Sequence, residues 1–223
     1  TGNFGRKQET KFLRTYRRHL SMSDHRARLN RLLWDGQISR AQRVMRLVDK
    51  DTQKLAMARI ALRAKRGGVD WHMRRVPKSM HNDPGLIFER ARWRRRKGRD
   101  NDAYDLLKAV PPDAPNAQKW WVERSIIARR LLAKGHISEA YRLAKANGLS
   151  TGARFVEAEW FAGWIALRHL NEPKVARTHF DRIGARVSYP ISRARAAYWA
   201  GRASDAAGDR EAADTLFNAA SQH

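Results

Sequence analysis

The chain lacks cysteine and long apolar runs. None of its 223 residues is cysteine, which excludes a disulfide framework and thiol chemistry. No apolar run approaches the roughly 18 residues of a membrane-spanning helix, and no secretory signal or transit peptide is recognisable. A mature exported protein would show the same absences. No alternation of apolar and polar residues is long enough to predict a sheet.

Acidic residues are scarce relative to basic ones. Lys and Arg total 46 against 22 Asp and Glu, which gives a formal net charge of +24 and a pI near 11.4. Such an excess predicts an anionic partner, although a solvated cationic surface would have the same composition. The densest part is the segment 90–99, whose cations are the candidate polyanion-binding residues. They are Arg90, Arg92, Arg94, Arg95, Arg96, Lys97 and Arg99.

Motifs of catalysis and metal binding are also missing. The sequence has no glycine-rich phosphate loop, no Cys/His metal spacing and no His-Glu-x-x-His helix. Glu157 and Glu159 are two positions apart on a predicted helix, so they should point in different directions. The eight scattered histidines are interpreted as structural. We therefore predict no catalytic residue, metal or cofactor. Five tryptophans are predicted to lie in the core rather than to stack on sugars, namely Trp120, Trp121, Trp160, Trp164 and Trp199.

The spacing Gly-x-x-x-x-Ala recurs at intervals typical of helical hairpins. Asn replaces Gly once, because Asn also tolerates the left-handed backbone region. The last four copies lie 37, 36 and 37 residues apart, close to the roughly 34 residues of a tetratricopeptide repeat. The first gap is 62 residues, with Gly67 and Gly68 near its middle, where a degenerate sixth copy belongs. The pairs are Gly36/Ala41, Gly98/Ala103, Gly135/Ala140, Asn171/Ala176 and Gly208/Ala213.

Each copy is predicted to join two antiparallel helices. Gly or Asn ends the first helix, and Ala lies in the second where the backbones approach most closely. The sequence thus predicts an all-α fold of about thirteen helices, an α-solenoid or superhelix of tetratricopeptide-like hairpins forming one domain over residues 1–223. A residue nine positions after each turn should fill the space between hairpins: Met45, Leu107, Phe180 and Phe217, with the small Ala144 as the exception.

Capping residues and prolines mark several helix starts. Ser23–Asp24 and Asp51–Thr52 are predicted to cap helices that run to Trp34 and to about Arg66. Pro84 and Pro190 are predicted to occupy the first position of their helices, where a missing N–H is tolerated. The proline-rich stretch 111–116 is predicted to be one long inter-helix turn.

Four segments carry a family resemblance. The most specific is PISRARAAYWAGRA, Pro190 to Ala203, within a longer similar segment from Glu157 to Gly208. The others are HRARLNRLLWDGQISRAQRVMRLVD from His25, DPGLIFERARWRRRKG from Asp83 and WWVERSIIARRLLAKGHISEAYRLA from Trp120. Together they cover nearly the whole chain and resemble the superhelical, non-catalytic domain of soluble lytic murein transglycosylases of the α-proteobacterial type.

This resemblance implies a periplasmic protein of the cell wall. In that family an α-superhelix carries a lysozyme-like domain that cleaves the MurNAc-GlcNAc β-1,4 bond of peptidoglycan and leaves a 1,6-anhydromuramyl end. The family places its acid–base Glu in a Glu-Ser motif, and no Glu precedes a Ser in this sequence. The resemblance therefore implies that this chain alone is inactive, that the catalytic Glu lies beyond His223, and that the chain binds or orients peptidoglycan or cell-wall proteins.

Two other functions are compatible with the repeats. One is a free-standing helical-repeat scaffold that binds a partner protein. The other is an RNA-binding repeat protein, which only the charge suggests. Repeat proteins that read one base per repeat need the same polar positions in every repeat. Here the residues after each turn vary, which argues against a nucleic-acid partner: they are Gln-Ile-Ser, Arg-Asp-Asn, His-Ile-Ser, Glu-Pro-Lys and Asp-Arg-Glu.

Overall fold

The structure, a computed structural model, describes residues 5–64 and 67–222, and all of their regular secondary structure is helical. These residues form thirteen α-helices and three short 3-10 turns, with no strand, and none of the helices is long and apolar enough to cross a membrane. The helices are α1 (Arg6–Tyr16), α2 (Met22–Trp34), α3 (Ile38–Val44), α4 (Lys50–Ala64), α5 (Val69–Arg75), α6 (Pro84–Arg96), α7 (Asp100–Lys108), α8 (Ala117–Ala133), α9 (Ile137–Lys145), α10 (Ala153–Arg168), α11 (Pro173–Gly184), α12 (Pro190–Ala206) and α13 (Arg210–Ser221). The 3-10 turns are Arg17–His19, Met45–Leu47 and Lys78–Met80.

The five predicted turns all fall between consecutive helices. Each of the five residues has a positive φ, the left-handed region in which a β-carbon is unfavourable and Gly or Asn is preferred. Gly68, from the predicted degenerate copy, also has a positive φ and precedes α5. The φ values of the five are 72° at Gly36, 73° at Gly98, 82° at Gly135, 55° at Asn171 and 84° at Gly208.

The alanines of the repeat lie where helices meet. Their exposed fractions are at most 2%, so a larger side chain would have to displace the neighbouring helix. Consecutive helices from α8 to α13 pack on one another in turn, which is the arrangement of stacked hairpins. The predicted fold class, an all-α solenoid of tetratricopeptide-like hairpins, is confirmed. The alanines are Ala41, Ala103, Ala140, Ala176 and Ala213.

Two of the predicted helix starts are displaced. The cap of α2 is Ser21, whose hydroxyl accepts a hydrogen bond from the backbone N–H of Asp24 while the Asp24 carboxylate accepts from the N–H of Ser21. At α4 the carboxylate of Asp49 accepts from the N–H of Thr52. Both helices therefore begin one or two residues before the predicted caps. The predicted end near Arg66 lies outside the described residues.

The remaining start signals are correct. Pro84 begins α6 and Pro190 begins α12. The Asp83 carboxylate accepts a hydrogen bond from the N–H of Leu86 at 2.8 Å, which satisfies one free donor of the first turn. The stretch 111–116 is an irregular connection between α7 and α8, as its prolines predict.

The chain divides into two compact units, Thr1–Trp93 and Arg94–His223, with the boundary inside α6. The first unit has one apolar cluster around Leu29 and Leu32 and another around Leu62 and Leu86. The second has a cluster in which Phe180 packs with small residues of α10, α11 and α12. The single domain predicted over residues 1–223 stays a prediction.

A buried arginine ties two helix ends together in the second unit. The guanidinium of Arg124 in α8 donates to two carbonyls at the end of α7. One belongs to Leu107 in the last turn, at 3.5 Å, and the other to Val110 just after the helix, at 2.6 Å. It also donates to the carbonyl of Ala146, which follows α9. The carbonyl of Leu107 also accepts from the backbone N–H of Val110. Carbonyls at a helix end often lack helical partners, and a cation is favourable beside them. Burial lowers the pKa of Arg124 to about 10, still far above neutral pH.

Candidate functional site

The predicted polyanion-binding segment lies at the end of α6 and in the turn that follows. Five of its cations are half-buried, namely Arg90, Arg92, Arg94, Arg95 and Arg96, whereas Lys97 and Arg99 are exposed. Arg99 forms an ion pair with Asp102, and Arg94 donates to the backbone carbonyl of Asp102 at 3.1 Å. Part of this charge is therefore used within the fold. Binding of a polyanion by the segment stays a prediction.

Arg95 has a definite role inside the fold. Its Nε donates to Oε2 of Glu123 in α8 at 2.5 Å, and its Nη2 donates to Oε1 at 3.2 Å. The Glu123 side chain is only 3% exposed. A carboxylate removed from water in this way needs a paired cation. Arg95 thus stabilises the fold, a role that the run of cations around it conceals in the sequence.

A periodic set of glutamates explains this pairing and was missed by sequence reasoning. Glu89, Glu123 and Glu157 are spaced by 34 residues, the length of a tetratricopeptide repeat. Each accepts hydrogen bonds from an arginine of an earlier helix. Glu89 pairs with Arg63 at 2.8 Å, Glu123 with Arg95, and Glu157 with Arg129 at 2.7 Å. The spacing itself was the available signal.

The five tryptophans predicted to lie in the core divide into a buried and a half-buried group. Trp120 and Trp121 are each 1% exposed, as predicted for the core. Trp160, Trp164 and Trp199 are instead half-buried, although the indole nitrogen of Trp160 is itself buried. Trp160 and Trp199 pack against the apolar cluster around Phe180, so their buried faces anchor them rigidly. For these three residues, the core prediction is only half correct.

The three half-buried tryptophans belong to one aromatic surface on α10 and α12. The rings of Trp160 and Trp164 are stacked with their centroids 6.1 Å apart, and Trp199 meets Trp160 edge to face at 5.7 Å. Tyr198 lies 5.7 Å from Trp199 and is itself exposed. These contacts fix the rings in place before any partner arrives.

Two exposed arginines lie against these rings. The guanidinium of Arg195 is 4.6 Å from the centroid of Trp160, and that of Arg202 is 6.0 Å from the centroid of Tyr198. The contact of Arg195 is a cation–π interaction, and Nη1 of Arg202 also donates a hydrogen bond to the hydroxyl of Tyr198 at 3.1 Å. No carboxylate of residues 5–64 and 67–222 lies within ion-pair distance of either arginine. We call the set the Trp160 surface: Trp160, Trp164, Arg195, Tyr198, Trp199 and Arg202.

A buried histidine network beside this surface is structural. The carboxylate of Glu159 is 2.7 Å from Nδ1 of His179, whose Nε2 is 3.1 Å from the hydroxyl of Tyr141. Asn147 donates to the same carboxylate at 2.9 Å. His179 is 2% exposed and both its ring nitrogens are engaged, so a substrate has no access to it. Glu157 points to solvent and Glu159 inward, as their spacing predicts.

Burial and hydrogen bonding have opposite effects on the pKa of Glu159. Burial acts to raise its pKa, but the hydrogen bonds from His179 and Asn147, together with the charges of His179 and Arg182, lower the pKa below its ordinary value. The carboxylate is therefore ionised at neutral pH. No group of three or more His, Asp or Glu side chains within the described part of the chain could hold a metal ion.

Comparison with known proteins identifies similar folds only. No family model and no curated protein matches the chain. Among solved structures, MamA is 16% identical, with 75% of this chain and 90% of that chain covered at a TM-score of 0.45. A kinesin light chain of Podosopora anserina with nearly identical TPR-like repeats is 17% identical, with 90% and 93% covered at 0.45. BtubC (BKLC) from P. vanneervenii is 13% identical, with 91% of each chain covered at 0.43.

Proposed function

We propose that this chain is a helical-repeat scaffold that binds a partner protein through the Trp160 surface. The observation that supports the proposal is the cluster of three half-buried indole rings, with exposed Tyr198 beside them and Arg195 over the ring of Trp160. Trp, Tyr and Arg are the residue types that contribute most to binding at protein interfaces. Rings already held by the fold lose little conformational entropy when a partner covers them.

The charge of the surface indicates the kind of partner. Arg195 and Arg202 present guanidinium groups that no carboxylate of the described residues neutralises. A partner carrying carboxylates beside apolar side chains would match both the cations and the aromatic rings. The net charge of +24 would also accelerate its association at low ionic strength.

The proposal is tested by site-specific photocrosslinking. The photoreactive residue benzoylphenylalanine replaces Tyr198 inside the surface or, as the matched control, Tyr189 outside it, which is 75% exposed. In the source cells the probe at 198 should give a discrete protein adduct that the probe at 189 does not give. Adding Trp160→Ala or Arg195→Glu to the probe at 198 should remove the adduct. Equal adducts from both probes, or none from the probe at 198, would contradict the proposal.

The second candidate function is the superhelical part of a periplasmic lytic transglycosylase. The observation that favours it is the resemblance of the sequence from Pro190 to Ala203, which makes up most of α12 and supplies four of the six residues of the Trp160 surface. Tryptophan faces stack on sugars, and arginines pair with the carboxylates of peptide stems. In this proposal the partner is peptidoglycan, and the location is the periplasm.

Sedimentation with purified sacculi separates the two candidates. If peptidoglycan is the partner, the chain should sediment with sacculi, and Trp160→Ala should weaken this binding at least tenfold while Tyr189→Ala leaves it unchanged. The bound fraction should fall with salt, because exposed charges are screened over about 10 Å at 0.1 M. Sedimentation that both variants leave unchanged would reflect net charge alone and would argue for the scaffold.

A further inference from the structure

Besides the Trp160 surface of the second unit, exposed apolar side chains also occur in the first unit. They line a groove between α4 and α5. Two large side chains lie open there: Met57 is 42% exposed and Trp71 is 48% exposed. The groove has a volume of about 360 Å³. This is near the lower end of the range of about 300–1,000 Å³ found for ligand pockets. It therefore has room for one bulky apolar side chain.

The rim of this groove is cationic. Its lining residues are Lys50, Gln53, Lys54, Met57, Trp71, His72 and Arg75, and none of them is acidic. Lys54 forms an ion pair with Asp51, with Nζ 2.8 Å from Oδ1. The guanidinium of Arg75 lies 4.4 Å from the centroid of Trp71. An incoming carboxylate would therefore meet positive charge on both helices.

We propose that this groove binds an acidic segment of a partner protein that carries one bulky apolar side chain. The apolar side chain would lie on Met57 and Trp71, and its flanking carboxylates would pair with Lys50 and Arg75. Methionine adapts its shape to different apolar groups, and guanidinium pairs with carboxylate in a bidentate geometry. The complementarity of charge around an apolar floor is what selects this partner.

A single-stranded nucleic acid is less suited to the groove. Base binding uses the open face of an aromatic ring. Here Arg75 covers one face of Trp71 and the ring of His72 meets Trp71 edge to face at 4.8 Å, so at most one face is left for a partner and a base cannot be stacked between two groups. The groove shares no residue with the Trp160 surface, so its failure would leave the function proposed above standing.

The test uses two fluorescein-labelled peptides of equal charge. One is Asp-Glu-Asp-Leu-Glu-Asp-Glu, and the other replaces its Leu by Gly. Anisotropy titrations of the full chain at physiological salt should show at least tenfold tighter binding of the Leu peptide. Equal affinity for the two peptides, or no binding of the Leu peptide, would overturn the proposal because net charge alone would then explain any association.

Variants locate the site. Trp71→Ala should weaken binding of the Leu peptide at least tenfold. Lys50→Glu should weaken it severalfold without altering an apolar contact. Tyr189→Ala and Arg168→Glu are the matched controls, since they change an exposed aromatic residue and an exposed cation of the second unit. The assignment would be overturned if both control variants also lost affinity for the Leu peptide, or if neither groove variant lost it. If oligo-uridine binds more tightly than the Leu peptide and Trp71→Ala abolishes that binding, the proposal is overturned and RNA is the partner of the groove.

Discussion

Two arginine–glutamate pairs of the second unit have the same sequence separation but different surroundings. Arg95 and Glu123 are 28 residues apart, and so are Arg129 and Glu157. The side chain of Glu123 is 3% exposed, whereas that of Glu157 is 45% exposed. The repeat register decides which charges meet, and the depth of the site decides how much each pair contributes to stability.

The largest expected effect on stability comes from removing the buried carboxylate of Glu123. Glu123→Gln should lower the free energy of unfolding by about 3–5 kcal/mol, because it leaves a largely buried guanidinium without its counter-charge. Glu157→Gln is the control and should cost at most about 1 kcal/mol, since that pair is solvated. Urea denaturation monitored by circular dichroism measures both. Similar losses in the two variants would break the comparison.

The same contrast of depth applies to apolar positions. Ala140 is 0% exposed at the crossing of α8 and α9, so Ala140→Leu should destabilise the chain by about 1–3 kcal/mol through overpacking. Ala133 is exposed near the end of α8, and Ala133→Leu should change stability by less than about 0.5 kcal/mol. Thermal melts of the two variants measure the difference. An unchanged melting temperature for Ala140→Leu would mean that the crossing point is wrongly assigned.

Removing both members of the buried pair sharpens the electrostatic side of the comparison. Arg95→Met combined with Glu123→Leu keeps the volume and abolishes both charges. Replacing a buried pair by apolar groups is often neutral or stabilising, so we expect a stability within about 1 kcal/mol of the original chain. A double variant as unstable as Glu123→Gln would show that hydrogen-bond geometry, and not an uncompensated charge, explains the loss.

The smallest expected effect concerns pH. Hydrogen bonds and nearby cations lower the pKa of Glu159 from its ordinary value of 4.5 despite the opposing effect of burial. Its contribution to stability is therefore complete above the unfolded-state pKa and is lost as the pH falls through the lower folded-state pKa. Glu159→Gln should reduce the loss of stability between pH 7 and about pH 3. Denaturation at both pH values measures this, and an unchanged pH dependence would contradict the assignment.

The sequence predicts the hairpins well because their turns depend on local chemistry. Gly36, Gly135 and Gly208 satisfy a backbone requirement that few other residues can meet, so their positions in the sequence identify the turns. The caps of α2 and α4 are displaced because several polar residues near each start can all cap a helix. Ser21 and Asp49 are selected by geometry that the sequence pattern does not contain.

The candidate surfaces are harder to predict because they depend on how helices pack. Trp121 and Trp160 are alike in the sequence, yet Trp121 is fully buried and Trp160 is half-buried. Likewise, Arg95 is one cation among seven, and only its contact with Glu123 shows that it stabilises the fold. The 34-residue spacing of the glutamates could have revealed this pairing. No comparable spacing marks Arg195 or Trp71.

The position of Arg124 has a consequence for how this unit loses its structure. Its guanidinium donates to carbonyls at the ends of both α7 and α9, so a displacement of α8 would break both sets of hydrogen bonds together. In a repeat array, unfolding can proceed one unit at a time when the coupling between neighbours is weak. Here a single side chain couples two neighbouring hairpins. We therefore expect amide protons of α7 and α9 to exchange with solvent through one common opening event, at one shared free energy.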